Sequence, residues 1–262
     1  MDNLTKLGRI FFAIPMIVFG IQYAVYGRFT LGLPPVPPWT PGSPILAYLT
    51  GAALAFAGIC IAVRWNARLS ATFLGLFFLL CVLFLHGQRP GPILREGNAR
   101  TVAFEPLALA ALAFILAGAL GVERRSSQTW GGATNLLAKL GPYLFGFCMI
   151  VFGVQHFMYA AFIANIVPSW IPGHIFWVYL TGTGMIVAGL SIALNIFARL
   201  SAAGLGLMFL LWFIVLHTPR VIAQLHHGDE WTSAFIALGM CGGCFVIAAA
   251  GLPKRGDSWA DA

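Results

Sequence analysis

Long apolar runs broken by short polar turns set the rhythm of this sequence from end to end. Eight segments of spanning length stand out: Ile10–Tyr26, Pro44–Val63, Leu69–His86, Pro106–Val122, Gly141–Ala164, Ile175–Leu194, Leu200–His217 and Thr232–Leu252. Each approaches the roughly 20 residues that cross ~30 Å of hydrocarbon at about 1.5 Å per residue. Backbone polar groups in lipid must find internal partners, so runs of this length are predicted to be helices. The expected protein is all-α and integral to the membrane, in contact with the lipid bilayer through eight transmembrane helices.

Composition agrees. Of the 262 residues, 60% are hydrophobic and 9% charged, with a mean hydropathy of +0.87; soluble domains carry about a quarter charged residues. Lys6 and Arg9 precede the first run as they would in a secretory leader. That run is long, shows no small-residue cleavage site and recurs later in the chain, which makes it a retained helix. Cys60, Cys81, Cys148, Cys241 and Cys244 all fall inside the runs and form no disulfide framework of the secreted kind.

Charge supplies an orientation. With the N-terminus, the even-numbered loops and the C-terminus on one side, that side collects Lys6, Arg9, Arg64, Arg68, Arg124, Arg125, Lys139, Arg199, Lys254 and Arg255. These are ten of the 15 basic residues, against Arg28, Arg89, Arg95, Arg100 and Arg220. The excess predicts cytoplasmic termini. The net charge of +7 is then a topology signal and does not point to nucleic acid.

The polar breaks repeat. "VFGIQYAVYG" (18–27) matches "VFGVQHFMYA" (151–160) at an offset of 133, and "VPPWTPG" (36–42) matches "VPSWIPG" (167–173) at 131. "AYLTG" matches "VYLTG", "ARLSA" recurs at 67–71 and 198–202, and His86 matches His217. The chain reads as two tandem four-helix bundles, residues 1–122 and 141–262, joined by a cytoplasmic linker over 123–140. An even number of spans per copy gives both copies the same orientation, a parallel repeat whose two adjacent bundles are related by a pseudo-two-fold axis along the membrane normal.

In this topology polar side chains collect in the outer half of the membrane. Gln22, Tyr23 and Tyr26 lie at the outer end of the first segment; Gln155, His156 and Tyr159 lie at the same place in the fifth. Their spacings of three and four residues put each trio on one helix face. His86 and His217 end the third and seventh segments, with Arg89 and Arg220 three residues on; His174 opens the sixth and Glu105 the fourth. An aromatic belt accounts for Trp39, Trp170 and Trp177. It does not account for Gln and His, because ionisable groups in spans point to a bundle interior or cavity. Interfacial solvation remains an equal account of His86 and His217. The prolines at 34, 35, 37, 38 and 41, and Pro168 with Pro172, forbid helix in the outer turns. Such turns either lid the cluster or simply reverse the chain.

"GVQHF" on a first helix, a "VPSWIPG" turn, "YLTG" followed by Ala188–Gly189 on a second, and "ARLSA" opening a third resemble the DoxX-like integral membrane proteins. The resemblance runs once per copy and is clearer in residues 141–252. It implies a four-helix membrane bundle, in some members linked to quinone-coupled oxidation of sulfur compounds and in others to redox or thiol-maturation systems. By the same resemblance the chain is expected in a bacterial inner membrane, with membrane or periplasmic redox proteins as partners.

"CGGC" at 241–244 has the spacing of a redox dithiol. It sits mid-segment with no basic neighbour, and two glycines suit close helix packing, so packing is the favoured reading. Three functional readings stay open. One is a membrane subunit of a quinone-linked oxidoreductase, binding a quinone-like ligand at the outer cluster through Gln155, His156, Tyr159, His174, His217 and Arg220, or through Gln22, Tyr23, Tyr26 and His86. Another is a non-catalytic anchor or assembly subunit. The third is a b-type haem held by His156 and His217. The greater number of proton-transfer groups places the site in the second copy, with the first mainly architectural.

Overall fold

The computed structural model describes residues 3–29, 44–88, 90–123 and 131–253. Among them there is no strand, and eight helices are long and apolar enough to cross a membrane. They are α1 (Asn3–Tyr26), α2 (Pro44–Val63), α3 (Ala67–His86), α4 (Gly97–Glu123), α5 (Gly131–Met158), α6 (His174–Leu194), α7 (Ala198–Ala223) and α8 (Gly228–Ala250). The chain is an all-α, multi-pass membrane protein. The "VPPWTPG" turn with Trp39, and Arg89, Arg124, Arg125, Lys254 and Arg255, lie outside the described residues.

Several helices begin earlier than hydropathy indicates, α4 and α5 most of all. Pro106 and Pro142 lie inside α4 and α5 instead of opening them. The turns ahead of each proline are mixed in polarity, so they fall below an apolar threshold while keeping helical geometry. Residues 131–140 are accordingly the first turns of α5, not linker. At its other end α5 stops at Met158, and a separate short helix, Ala160–Ala164, follows Tyr159.

The two copies interlock in space. α8 packs chiefly on α1 and α7, α4 packs chiefly on α3 and α5, and α4 and α8 touch each other. Each trio of helices is thus closed by the last helix of the other copy. Burial identifies the centre: 72% and 78% of the apolar windows of α4 and α8 are buried, against 22–50% in the other six helices. The two units are therefore not separate neighbours; α4 and α8 serve both.

Local geometry repeats to the level of single residues. A Cβ added at Gly20 would lie 2.4 Å from the Gly51 carbonyl, and one at Gly153 would lie 2.6 Å from the Gly182 carbonyl. α1 and α5 therefore cross α2 and α6 backbone to backbone. Small residues permit this approach in a solvent where apolar side chains gain little from leaving lipid. Left-handed residues close the α2–α3 and α6–α7 turns at matching positions, Arg64 with Asn66 and Asn195 with Phe197. α3 ends in a π-helical stretch, Val82–His86, and α7 contains the matching one, Trp212–His217, before its last residues Thr218–Ala223.

Glutamine side chains staple the interlock. Gln22 Nε2 on α1 donates to the Gly228 carbonyl at the start of α8 at 2.9 Å. Gln155 Nε2 on α5 donates to the Gly97 carbonyl at the start of α4 at 3.0 Å. Tyr26 adds a hydroxyl donated to the His226 carbonyl at 3.3 Å. Replacing Gln22 by Leu is expected to cost about 1–2 kcal/mol. The readout is a lower unfolding midpoint in detergent; an unchanged midpoint would remove the staple from the account.

At the opposite end, arginines bind carbonyls. Arg199 donates to Ala248 and Ala249 at the C-terminus of α8, where a cation meets the negative end of the helix dipole. Arg68 donates to the Asn135 side chain on α5 at 2.8 Å. The last carbonyls of α2, at Ile61 and Ala62, are bound by Arg9 of α1.

Candidate functional site

A cavity of about 1170 Å³ lies in the second copy. Five helices wall it: α5, α6 and α7, together with α4 and α8. Residues on one face of each supply the lining, with Gly97, Thr101 and Glu105 on α4 and Ser233, Ile236 and Met240 on α8. The turn bearing Val167, Pro168, Trp170 and Ile171 lies over one end. This turn is the helix-forbidding "VPSWIPG" segment of the sequence.

Gln155 and His156 on α5 and Tyr159 just past its end converge here as their spacing predicts. Gln155 is 5% exposed; its Nε2 is engaged by Gly97 and by the Thr101 hydroxyl at 3.0 Å, and its Oε1 is buried without a partner. His156 presses against Gly182, where an added Cβ would sit 2.7 Å from the His156 Cβ. Its Nδ1 lies 2.8 Å from the Phe152 carbonyl, and its ring stacks on Trp212 at 5.8 Å between centroids and 16° between planes. Tyr159 packs on Gly97, at the rim.

α7 brings His217 and Arg220. In an α-helix, residues five apart point about 140° away from each other. The π-helical Trp212–His217 stretch makes five residues roughly one turn, so Trp212 and His217 both line the cavity. His217 Nδ1 is buried and without a partner. Arg220 is held at the rim by a two-pronged ion pair to Glu230 at 2.9 and 2.7 Å.

Glu105 was legible as an acid near the start of the fourth apolar segment, but its role was not. Counted by chain position it belongs to the first copy. The interlocked packing of α4 carries it into the wall of the second copy's cavity, two turns below Gly97. Among the described residues no hydrogen bond or ion pair engages its carboxyl. The available signal was its position at the edge of an apolar run, since acids in spans face an interior or a cavity.

The remaining residues do not join this cavity. His174 sits in the first turn of α6 outside the lining. Gln22 and Tyr26 hold the start of α8. Tyr23 is fully buried and meets Phe29 edge to face at 5.4 Å. His86 Nε2 is buried without a partner elsewhere in the first copy. Gly204, Met208 and Val215, which line the cavity, correspond to Phe73, Phe77 and Phe84 in the first copy, so aromatic rings occupy the positions that here leave space. Among the described residues no three His, Cys, Asp or Glu side chains group closely enough to hold a metal ion.

The cavity also reaches toward lipid. Leu180, Leu207 and Leu211 line it while remaining about half exposed on the outer surface of α6 and α7. Gly184 and Gly204 flank the same cleft, and nothing lies within 4 Å of a Cβ added at either. An apolar cleft with a few polar groups at its base is the usual form of a small-molecule site.

The fold and cavity define a multi-pass helical membrane protein with an internal, laterally open pocket. Residues 145–237 match a family described as a domain of unknown function (DUF8561), a span that covers α6, α7 and parts of α5 and α8. No curated protein and no solved structure matches the chain.

Proposed function

We propose that this protein is a membrane subunit of a redox system and that it binds a quinone-like lipophilic ligand in the second-copy cavity. The observation that carries this reading is the combination in one cavity of an apolar lateral cleft with Glu105, Gln155, His156 and His217 at its base. A ring with an isoprenoid-like tail suits that division: the tail lies between α6 and α7, and the ring meets the polar groups and Trp212. The DoxX-like resemblance belongs to the same reading, as do a bacterial inner membrane, cytoplasmic termini and redox partner proteins. Reporters fused in the 124–130 and 88–96 segments test the orientation by falling on opposite sides.

Extraction of the protein in mild detergent, followed by absorbance and analysis of co-purified lipids, tests the ligand. A quinone recovered in near one-to-one ratio supports the proposal. A Soret band favours the b-type haem reading, which draws on His156 and His217 lining one cavity. Partner subunits without either ligand favour an assembly role and overturn the proposal.

A further inference from the structure

The cavity's polar groups differ in what they have left to offer a ligand. Gln155 has committed its NH2 to Gly97 and Thr101. Its one free atom is Oε1, buried and unpartnered, and an amide oxygen only accepts. The Phe152 carbonyl accepts from His156 Nδ1, so in the neutral ring Nε2 carries a lone pair and also accepts. Among the described residues Glu105 has no hydrogen-bond or ion-pair partner; its carboxyl only accepts when ionised but also donates when protonated.

The other polar groups are not fixed in this way. Arg220 gives its Nε hydrogen and one Nη2 hydrogen to Glu230 and keeps its remaining hydrogens at the rim, while Trp177 gives Nε1 to the Pro172 carbonyl. Tyr159 and Asn98 stand at the rim, beside Gly97. The Ser233 hydroxyl and His217 can serve in either sense, the latter by choice of tautomer.

We infer that the ligand of this cavity presents hydrogen-bond donors: a neutral lipophilic molecule with ring hydroxyls, the quinol rather than the quinone form, bound by Gln155 Oε1 and His156 Nε2, the two groups whose own bonds leave them able only to accept. The inference rests on the quinone-type reading of the site. A quinone carbonyl facing these acceptors would lose its water without gaining a partner, a penalty that a hydroxyl avoids. The preference is a property of both halves of the chain, because Gly97 and Thr101 of the first copy take up the amide hydrogens of Gln155 in the second.

Calorimetric titration of the detergent-purified, ligand-stripped full chain with duroquinol and with duroquinone, without oxygen, tests this directly. Duroquinol is expected to bind at least tenfold more tightly. His156→Phe, which removes the Nε2 acceptor, should bring the two affinities toward parity, whereas Glu105→Gln, whose amide can donate and accept as a protonated carboxyl does, should leave the duroquinol preference in place. Equal affinities, or tighter binding of duroquinone, would overturn the donor inference and leave the quinone-type reading standing. Binding of neither compound would overturn both.

Discussion

Gly242→Leu should leave little folded protein. A Cβ at this position would lie 2.4 Å from the Phe12 nitrogen and 2.6 Å from the Gly8 carbonyl oxygen. Both obstacles are backbone, which cannot swing aside as a flexible side chain does. From the other side, a Cβ on Gly8 would sit 2.6 Å from the Gly242 carbonyl, so α1 and α8 meet main chain to main chain. To admit a leucine the helices must separate, and the contact that joins the first copy to the last helix of the second is lost. Overpacking in a well-filled core commonly costs 1–3 kcal/mol; a clash with backbone at the interlock should exceed about 4 kcal/mol. The matched control is Gly132→Leu, where nothing lies within 4 Å of the added Cβ. Size-exclusion profiles and unfolding midpoints should separate the two. Equal behaviour would mean that the interlock does not hold the fold together.

Gly243 has a similar role, with the Leu112 side chain of α4 2.6 Å from its would-be Cβ. The "CGGC" motif thus supplies the close approach of α8 to both α1 and α4. Cys241 and Cys244 are free and fully buried between them.

The second large effect concerns access to the cavity. Gly204→Phe installs the residue that the first copy carries at the equivalent position, Phe73, whose ring stacks on Phe77 at 6.4 Å. Because Gly204 faces open space, stability without ligand should stay within about 0.5 kcal/mol of the parent. Ligand recovered with the protein should nevertheless fall at least tenfold, as the ring covers the cleft between α6 and α7. Full ligand occupancy in this variant would sink the lateral route and point to access past the Pro168 turn.

Much of the fold was readable from local pattern. Eight spans, the repeat and the converging trio Gln155, His156 and Tyr159 depend on hydropathy, offset and helical period, and each is a property of a short stretch. What escaped depends on long-range packing or on departures from regular helix. Nothing within residues 97–123 says that α4 packs on α5, so Glu105 was counted with the wrong copy. A period of 3.6 cannot anticipate the π turn that aligns Trp212 with His217. The two glutamines show a further limit: their chemistry marked them as ligand groups, while their amide NH2 groups bind helix starts across the interlock, leaving Gln155 with a single free oxygen.

The most direct measurement is photolabelling with an azidoquinone in the intact membrane, followed by digestion and mass spectrometry. Label should appear on α4 within 97–105 together with α5 within 152–159 and α7 within 204–217, and excess unlabelled quinol should displace it. Label confined to α1, α2 and α3, or spread over the lipid-facing surface and indifferent to competitor, would contradict a ligand site built jointly from the two copies.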